Sequence, residues 1–182
     1  MRLLALFLSV CGLGSCAGSA ADTATEADWR ALLRDIRDRY PNVSQLPLDA
    51  PLLEQATTLR VDVREPDEYA VSHLHDAENA HDVDAIERLI DQRRPENVVL
   101  YCSVGYRSSA LAEALRTRVS VPVHNLEGSL FAWANAGRQL SGLDDRAPTV
   151  VHPFNERWGR YLAPAYRAPA YRAGGSTRTN RR

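Results

Sequence analysis

The most constraining feature of the chain is a cysteine placed between an apolar run and a helix-forming run. Residues 97–100, Asn-Val-Val-Leu, are apolar and rich in β-branched side chains, which is typical of a buried strand. Residues 110–116, Ala-Leu-Ala-Glu-Ala-Leu-Arg, are strong helix formers. The segment from Cys102 to Arg107 must therefore turn the chain tightly from a strand into a helix.

This turn has the composition of an anion-binding loop. Gly105 permits backbone angles that a residue with a Cβ resists, and Ser108 or Ser109 can cap the following helix. Tightly wound loops ahead of a helix direct successive N–H groups inward, where they stabilise negative charge. We therefore predict that Cys102 is held as a thiolate, with a pKa below that of a free thiol. The alternative is a buried cysteine that acts only as a small hydrophobic side chain.

The same residues resemble the active-site loop of the rhodanese family of sulfurtransferases. The loop carries the pattern Cys102-x-x-Gly105-x-Arg107-Ser108. Further matches follow in the family's order, and they are Asp62-Val63-Arg64-Glu65-Pro66-x-Glu68-Tyr69, His73, Ala77-Glu78-Asn79, Leu126-Glu127-Gly128, Trp133 and Gly137. The resemblance spans roughly residues 41–140 and is far more specific than the cysteine loop alone.

The resemblance implies sulfur transfer without a cofactor. Cys102 is expected to take sulfur from thiosulfate or a related persulfide donor and to pass it to cyanide or a small thiol. Substrate binding is implied for the loop residues Ser103, Val104, Gly105, Tyr106, Arg107 and Ser108. Arg107 is expected either to attract the donor's sulfonate or to hold the shape of the loop. Asp62 and Arg64 are expected to support the site through a buried ion-pair network, with direct substrate contact as the alternative.

Predicted strands and helices alternate along the chain, which indicates an α/β fold with a parallel central sheet and helices on both faces. Strands are predicted at 43–46, 58–63, 97–100 and 120–125, and helices at 48–56, 84–93, 110–116 and 128–136. Pro122 lacks an N–H group, so it should lie either in an edge strand or at the start of a strand.

Residues 72–77 depart from the family pattern. The family usually has Gly-His-Ile-Pro-Gly-Ala, whereas this chain has Ser-His-Leu-His-Asp-Ala, so Ser72 and Asp76 replace two glycines. Asp76 should then adopt a turn conformation that glycine usually takes. Three histidines lie near aspartates in this region, and they are His73, His75 and His81. Their spacing fits no common zinc pattern, and we predict no metal site.

Two other classes of function use similar loops. Cysteine phosphatases and arsenate reductases need one residue more than the four that separate Cys102 from Arg107 here, because their ring of N–H groups holds a tetrahedral oxyanion. A non-catalytic binding or redox-sensing module could use the same loop. The net charge of −1 argues against an electrostatic nucleic-acid binder, and the sequence identifies no protein partner.

The first segment of the chain resembles a bacterial lipoprotein signal peptide. Residues 1–15 contain a short apolar run at 3–10, whereas a membrane-spanning helix needs ~20 apolar residues. Leu-Gly-Ser-Cys at 13–16 resembles a lipobox, so Cys16 is expected to be the lipidated N-terminus. The alternative is an ordinary secretory signal that is cut within residues 17–21, which would release a soluble periplasmic protein.

The mature chain is therefore predicted to be a lipid-anchored protein of the bacterial cell envelope that faces the periplasm. Its predicted segments are a tether at 16–24, an N-terminal helix at 25–40, a rhodanese-like domain at 41–142, a C-terminal extension at 143–162 and a disordered tail at 163–182. Thr25 and Asp28 form a capping-box pattern at the start of the helix. The tail is rich in Arg, Pro and Gly, and it is expected either to contact anionic polymers or lipids or to be an inert solubilising segment.

The Cys16→Ser variant tests the predicted anchor. Wild-type protein should partition into detergent or membrane fractions, because several acyl chains on one residue hold a protein firmly whereas one chain binds only marginally. The variant should accumulate as an unprocessed precursor or as a soluble exported protein. Mass spectrometry of the mature N-terminal peptide checks this, and an unmodified start within residues 17–21 would establish the secretory alternative.

Overall fold

A five-stranded parallel sheet forms the centre of the protein. The computed structural model describes residues 23–142 and 150–168. The strands are β1 (Ser44–Leu46), β2 (Thr58–Asp62), β3 (Glu78–Asn79), β4 (Asn97–Tyr101) and β5 (Val123–Leu126). Their order across the sheet is β1-β5-β4-β2-β3, and every neighbouring pair is parallel. The predicted α/β class with a parallel central sheet is confirmed.

Within the described residues, six helices accompany the sheet. They are α1 (Glu26–Arg39), α2 (Pro66–Val71), α3 (Val83–Arg93), α4 (Tyr106–Leu115), α5 (Ser129–Asn135) and α6 (Glu156–Gly159), with 3₁₀ turns at Pro51–Glu54 and Pro164–Tyr166. The capping box at the start of α1 is confirmed, since Asp28 N donates to Thr25 Oγ1 and Thr25 N donates to Asp28 Oδ2. The predicted helix at 48–56 is wrong and is reduced to the first 3₁₀ turn, because Pro51 disfavours helical angles at the residue before it.

The side chains of β4 alternate between two hydrophobic clusters, one on each face of the sheet. Val99 and Tyr101 belong to the cluster that includes side chains of α1 and α5, whereas Val98 and Leu100 belong to the cluster of α3 and α4. All four side chains are fully buried. The sheet is therefore covered by helices on both faces, as the sequence predicts, and the central strand is apolar on both sides because neither side meets water.

Pro122 immediately precedes β5, which is an interior strand. Both neighbours of β5 are parallel strands, so an edge position is ruled out for it. Pro122 lacks an N–H donor, but its carbonyl accepts a hydrogen bond from Val98 N at 2.9 Å. Of the two positions predicted for this proline, the one at the start of a strand is confirmed.

Residues 72–77, where Ser72 and Asp76 replace two glycines of the family pattern, are held by β-bridge hydrogen bonds and by ring stacking. His73 N donates to Ser141 O, and Ser141 N donates to His73 O, each at 2.8 Å. The buried His73 ring stacks on Tyr69 at a centroid distance of 3.9 Å. Asp76 has a φ of 56°, the left-handed conformation expected of a residue in place of glycine. Within residues 23–142 and 150–168 no group of three or more His, Cys, Asp or Glu side chains is arranged to hold a metal ion.

Residues 150–168 pack back on the domain. Val151 and Leu162 are fully buried in the same cluster as α1 and α5. Val151 N donates to Tyr166 O at 2.6 Å, and Tyr166 packs against this cluster. The sequence predicts disorder from residue 163, whereas residues 163–168 are ordered by these contacts. No helix in the described part of the chain is long and apolar enough to cross a membrane. The predicted signal peptide, Cys16 and residues 169–182 lie outside the described residues.

A fully buried ion pair closes the carboxyl end of β2. Arg64 Nη2 and Nε donate to the Asp62 carboxylate at 2.7 and 2.9 Å, and neither side chain is exposed to solvent. Asn79 Nδ2 donates to the carbonyl groups of both residues at 2.9 Å, which joins this turn to β3. The pair is thus part of the framework beneath the loops at this end of the sheet.

Replacing one member of this pair should destabilise the fold. Arg64→Leu leaves the Asp62 carboxylate buried without a counter-ion, and we expect the free energy of unfolding in urea to fall by about 3–5 kcal/mol. Arg118→Leu is the matched control, because Arg118 forms exposed ion pairs with Asp84 and Glu87 and its loss should cost less than about 1 kcal/mol. Equal stability of wild type and the Arg64 variant would contradict this account of the pair.

Candidate active site

Cys102 follows β4 directly, and helix α5 anchors the backbone of the loop that it begins. Cys102 N donates to Ser129 Oγ at 3.1 Å. The carbonyl groups of Cys102 and Ser103 accept hydrogen bonds from Leu130 N at 3.1 Å and Phe131 N at 3.0 Å. These donors are N-terminal N–H groups of α5, which have no acceptor within their own helix. The carbonyl groups of the loop therefore give these N–H groups of α5 their acceptors, and the same hydrogen bonds fix the position of Cys102.

The loop wraps around the sulfur atom. Gly105 N donates to Cys102 Sγ at 3.2 Å, with Gly105 at a φ of 119°. A Cβ at this position would come within 3.3 Å of Asn125 Nδ2, so a larger residue would meet both strain and crowding. The N–H groups of Tyr106 and Arg107, at the start of α4, have no acceptor among the described residues. An anion at the sulfur therefore lies beside the positive end of a helix.

The electrostatic surroundings favour the thiolate form of Cys102. Burial raises the pKa of the thiol, which is 2% exposed, but the charge of Arg107 and hydrogen bonds from Ser108 and Gly105 outweigh it. The net pKa therefore lies below the ordinary value, in the direction that the sequence predicts. The Ser108 hydroxyl is buried and forms no other side-chain or backbone hydrogen bond among the described residues, so the nearby sulfur is the group to which it can donate.

Arg107 is held by Glu68, a residue to which the sequence analysis assigned no role in the site. Two nearly parallel contacts join them, Nη1 to Oε2 at 2.7 Å and Nη2 to Oε1 at 2.9 Å. Nη2 also donates to Ser103 Oγ at 3.1 Å. Burial raises the pKa of the Glu68 carboxyl, but Arg107 more than offsets this, so the net pKa is lowered and the carboxylate stays charged. Of the two roles expected for Arg107, this geometry favours holding the loop in shape.

Two features of the sequence could have indicated that Glu68 belongs to the site. Glu65 N donates to Glu68 Oε2 at 3.1 Å in a capping box at the start of α2, and the three-residue spacing of the two glutamates is visible in the sequence. An arginine at the end of a buried loop also requires an acidic partner. The sequence does not show which carboxylate this is, because 39 residues separate Glu68 from Arg107.

The remaining predicted site residues lie around the loop at different depths. Val104 is buried in the core, and Tyr106 is partly exposed, with its hydroxyl donating to Asp35. Asp62 and Arg64 are fully buried, and neither forms a hydrogen bond with the described residues of the loop. Their burial favours support of the site over contact with substrate.

The outer face of the loop is covered by the C-terminal segment. The Phe154 ring lies over the Arg107 guanidinium at 4.8 Å from the centroid, and the Trp158 ring meets Tyr106 edge-on at 5.7 Å. These contacts limit the access of water to the salt bridge between Arg107 and Glu68. The cysteine loop is thus enclosed by α5, by α2 and by residues that follow the domain.

Comparisons with known proteins place this fold and site in context. Residues 48–136 match the family model of the rhodanese-like domain. An uncharacterized protein of Synechocystis is 34% identical over 90 residues, which cover 47% of this chain and 48% of that protein. The tRNA uridine(34) hydroxylase of Photorhabdus laumondii is 26% identical over 121 residues, 62% of this chain and 33% of that enzyme. The chain spans half or less of the length of these two relatives.

A solved structure also shares the fold. The thiosulfate sulfurtransferase from Pseudomonas aeruginosa superimposes with a TM-score of 0.53 at 20% identity, covering 65% of this chain and 23% of that one. At this level of identity the likeness concerns the arrangement of strands and helices.

Substituting Arg107 should raise the pKa of the thiol. Arg107→Gln removes the positive charge that lowers the pKa of Cys102, so the midpoint of iodoacetamide alkylation against pH should move upward. Below that midpoint, alkylation should be slower by about ten-fold or more. Arg116→Gln, just beyond the other end of α4, is the control and should leave the midpoint in place. An unchanged midpoint in the Arg107 variant would show that this charge does not stabilise the thiolate.

Proposed function

We propose that the chain is a sulfurtransferase that uses Cys102 as its nucleophile, starting from the match of residues 48–136 to the rhodanese-like domain. The observation that carries this proposal is the position of the Cys102 sulfur, which accepts a hydrogen bond from Gly105 N at 3.2 Å and lies near Arg107, surroundings that lower the pKa of the thiol. The thiolate is the nucleophilic form of cysteine, and activation by a lowered pKa is an established route to covalent catalysis.

The first half-reaction transfers one sulfur atom to the protein. The Cys102 thiolate attacks the outer sulfur of thiosulfate, a bond forms between the two sulfur atoms, and the sulfur–sulfur bond of the donor breaks. Sulfite leaves with the bonding electron pair, and the persulfide anion remains on Cys102. No proton is transferred in this step, so no acid–base histidine is required. A related persulfide donor reacts in the same way, with its thiolate as the leaving group.

The second half-reaction returns the cysteine to its starting state. Cyanide or a small thiol attacks the outer sulfur of the persulfide, and the Cys102 thiolate leaves. Between the two steps, the N–H groups of Gly105 and of the first turn of α4 stabilise the persulfide anion, while Glu68 keeps Arg107 in place. The enzyme thus alternates between a thiolate and a persulfide.

A non-catalytic or redox-sensing module is the second candidate. Two observations favour it: the cysteine is only 2% exposed, and the arginine beside it already has a carboxylate partner. A phosphatase or arsenate reductase is disfavoured, because the loop is one residue shorter than a ring that holds a tetrahedral oxyanion. We also propose that the protein is anchored through Cys16 at the periplasmic side of the envelope, which rests on the sequence pattern at residues 13–16.

Sulfur loading of the cysteine tests the proposed activity. After anaerobic incubation with thiosulfate, mass spectrometry of the intact protein should show a gain of one sulfur atom that cyanide then removes. The Cys102→Ser variant should show no gain, because it lacks the nucleophile. A wild-type protein that gains no sulfur from thiosulfate or from a small persulfide would leave the non-catalytic module as the better account.

A further inference from the structure

A cleft of about 510 Å³ opens beside the cysteine loop, between α1, α4 and α6. Its main lining residues are Asp35, Arg39, Tyr106, Arg107, Arg157 and Trp158. The volume lies in the range of sites that bind small organic molecules. Arg107 belongs both to this cleft and to the surroundings of the Cys102 sulfur. The Arg107 guanidinium is therefore the group that the cleft and the cysteine site have in common.

The cleft carries positive charge that the described residues leave unpaired. Arg39 lies over the Tyr106 ring at 5.7 Å, and Arg157 lies over the Trp158 ring at 5.3 Å. Neither guanidinium forms an ion pair with any residue of 23–142 or 150–168, and both are exposed. Stacking on a ring leaves the in-plane N–H donors of a guanidinium free to bind a carboxylate.

The other charged groups of the cleft already have partners. Arg107 is paired with Glu68 from beneath the loop. The Asp35 carboxylate accepts a hydrogen bond from the Tyr106 hydroxyl. Burial and Asp35 raise the pKa of Tyr106 to about 12, so this phenol stays neutral. The Asp35 carboxylate keeps its negative charge, because its partner is a neutral hydroxyl. Arg39 and Arg157 outnumber this one carboxylate, so the cleft remains net positive.

The cleft also has an aromatic wall. The Tyr106 and Trp158 rings meet edge-on at 5.7 Å and offer a rigid apolar surface. A small inorganic ion would gain nothing from this surface, whereas an organic anion would gain contacts along its carbon chain as well as ion pairs. The lining therefore matches an organic molecule that carries a negative group.

We propose that this cleft binds the sulfur acceptor, and that the acceptor is a low-molecular-weight thiol bearing a carboxylate. This inference rests on the proposed sulfurtransferase activity. Arg39 and Arg157 pair with the carboxylate, and the Tyr106 and Trp158 rings contact the carbon chain. The thiol group is then directed past Arg107 toward Cys102. α1 and α6 lie outside the matched residues 48–136, so Arg39, Arg157 and Trp158 come from segments added to the matched part, whereas Tyr106 and Arg107 belong to it.

The chemistry needs no further reactant. The acceptor sulfur, as its thiolate, attacks the outer sulfur of the Cys102 persulfide and forms a new sulfur–sulfur bond. The bond between Cys102 and the transferred sulfur breaks, and its electron pair stays on Cys102 as the thiolate. The acceptor leaves as its own persulfide and keeps its carboxylate unchanged, so no external oxidant or reductant is consumed.

The test compares thiols of similar size and different charge. Protein is loaded with sulfur from thiosulfate, freed of excess donor, and mixed with 3-mercaptopropionate or with neutral 2-mercaptoethanol. The ratio of the two second-order rate constants for loss of the persulfide is measured for each protein. Comparing ratios between variants cancels the intrinsic difference in reactivity of the two thiols.

Substitution of either arginine should lower this ratio. Arg39→Gln and Arg157→Gln should each reduce it by about three- to five-fold relative to wild type, the effect of one exposed ion pair. Added salt should reduce the wild-type ratio in the same direction. Arg34→Gln, an exposed arginine of α1 outside the cleft, is the matched control and should leave the ratio unchanged. Arg39→Glu should shift the preference toward cationic cysteamine.

The outcomes separate this inference from the proposed function. If wild-type Cys102 accepts sulfur but the ratio is the same in the wild type and in both glutamine variants, the cleft is not the acceptor site and the sulfurtransferase proposal stands. If Arg34→Gln lowers the ratio as much as Arg39→Gln, general surface charge explains the effect and the cleft is again rejected. If the wild type accepts no sulfur from any donor, both proposals are overturned.

Discussion

The ion pair between Arg107 and Glu68 is the interaction on which the site depends. Its two contacts, at 2.7 and 2.9 Å, hold the end of the cysteine loop against α2, and Ser103 is bound to both partners. Such a pair is weak support for overall stability, because the cost of removing the Glu68 carboxylate from water offsets much of the attraction. Its contribution here is positional, because it fixes a positive charge beside the Cys102 sulfur that lowers the pKa of the thiol.

The rest of the fold brings this pair together at one end of the sheet. In parallel sheets, ligands bind beyond the carboxyl ends of the strands, and the loop after β4 lies at that end. Directly beneath, the Asp62–Arg64 pair and the Asn79 amide satisfy the buried backbone where β2 and β3 end. Helix α5 supplies the remaining hydrogen bonds to the loop. Each element contributes polar groups that would be costly to bury alone.

The segments outside residues 48–136, the part that matches the rhodanese-like domain, cover the cysteine loop with residues of their own. Helix α1 and residues 150–168 pack in the same hydrophobic cluster, and together they cover one side of the cysteine loop. The domain provides the cysteine and its anion-binding loop, which many proteins with different substrates can share. The added segments provide Arg39, Arg157 and Trp158 of the neighbouring cleft. The choice of acceptor is therefore expected to depend on residues that the family pattern does not include.

The sequence alone determined the α/β class, the loop after the central strand, the cap of α1 and the direction of the Cys102 pKa. These follow from residues close together in the chain, where helix and strand preferences and loop composition act directly. The Glu68–Arg107 pair, the cleft between α1, α4 and α6, and the packing of residues 163–168 were decided only by the tertiary structure. Their partners lie tens of residues apart, as the 39-residue separation of Glu68 and Arg107 illustrates. Several carboxylates and aromatic rings could meet each arginine on sequence grounds, and only the packing of the whole chain selects among them.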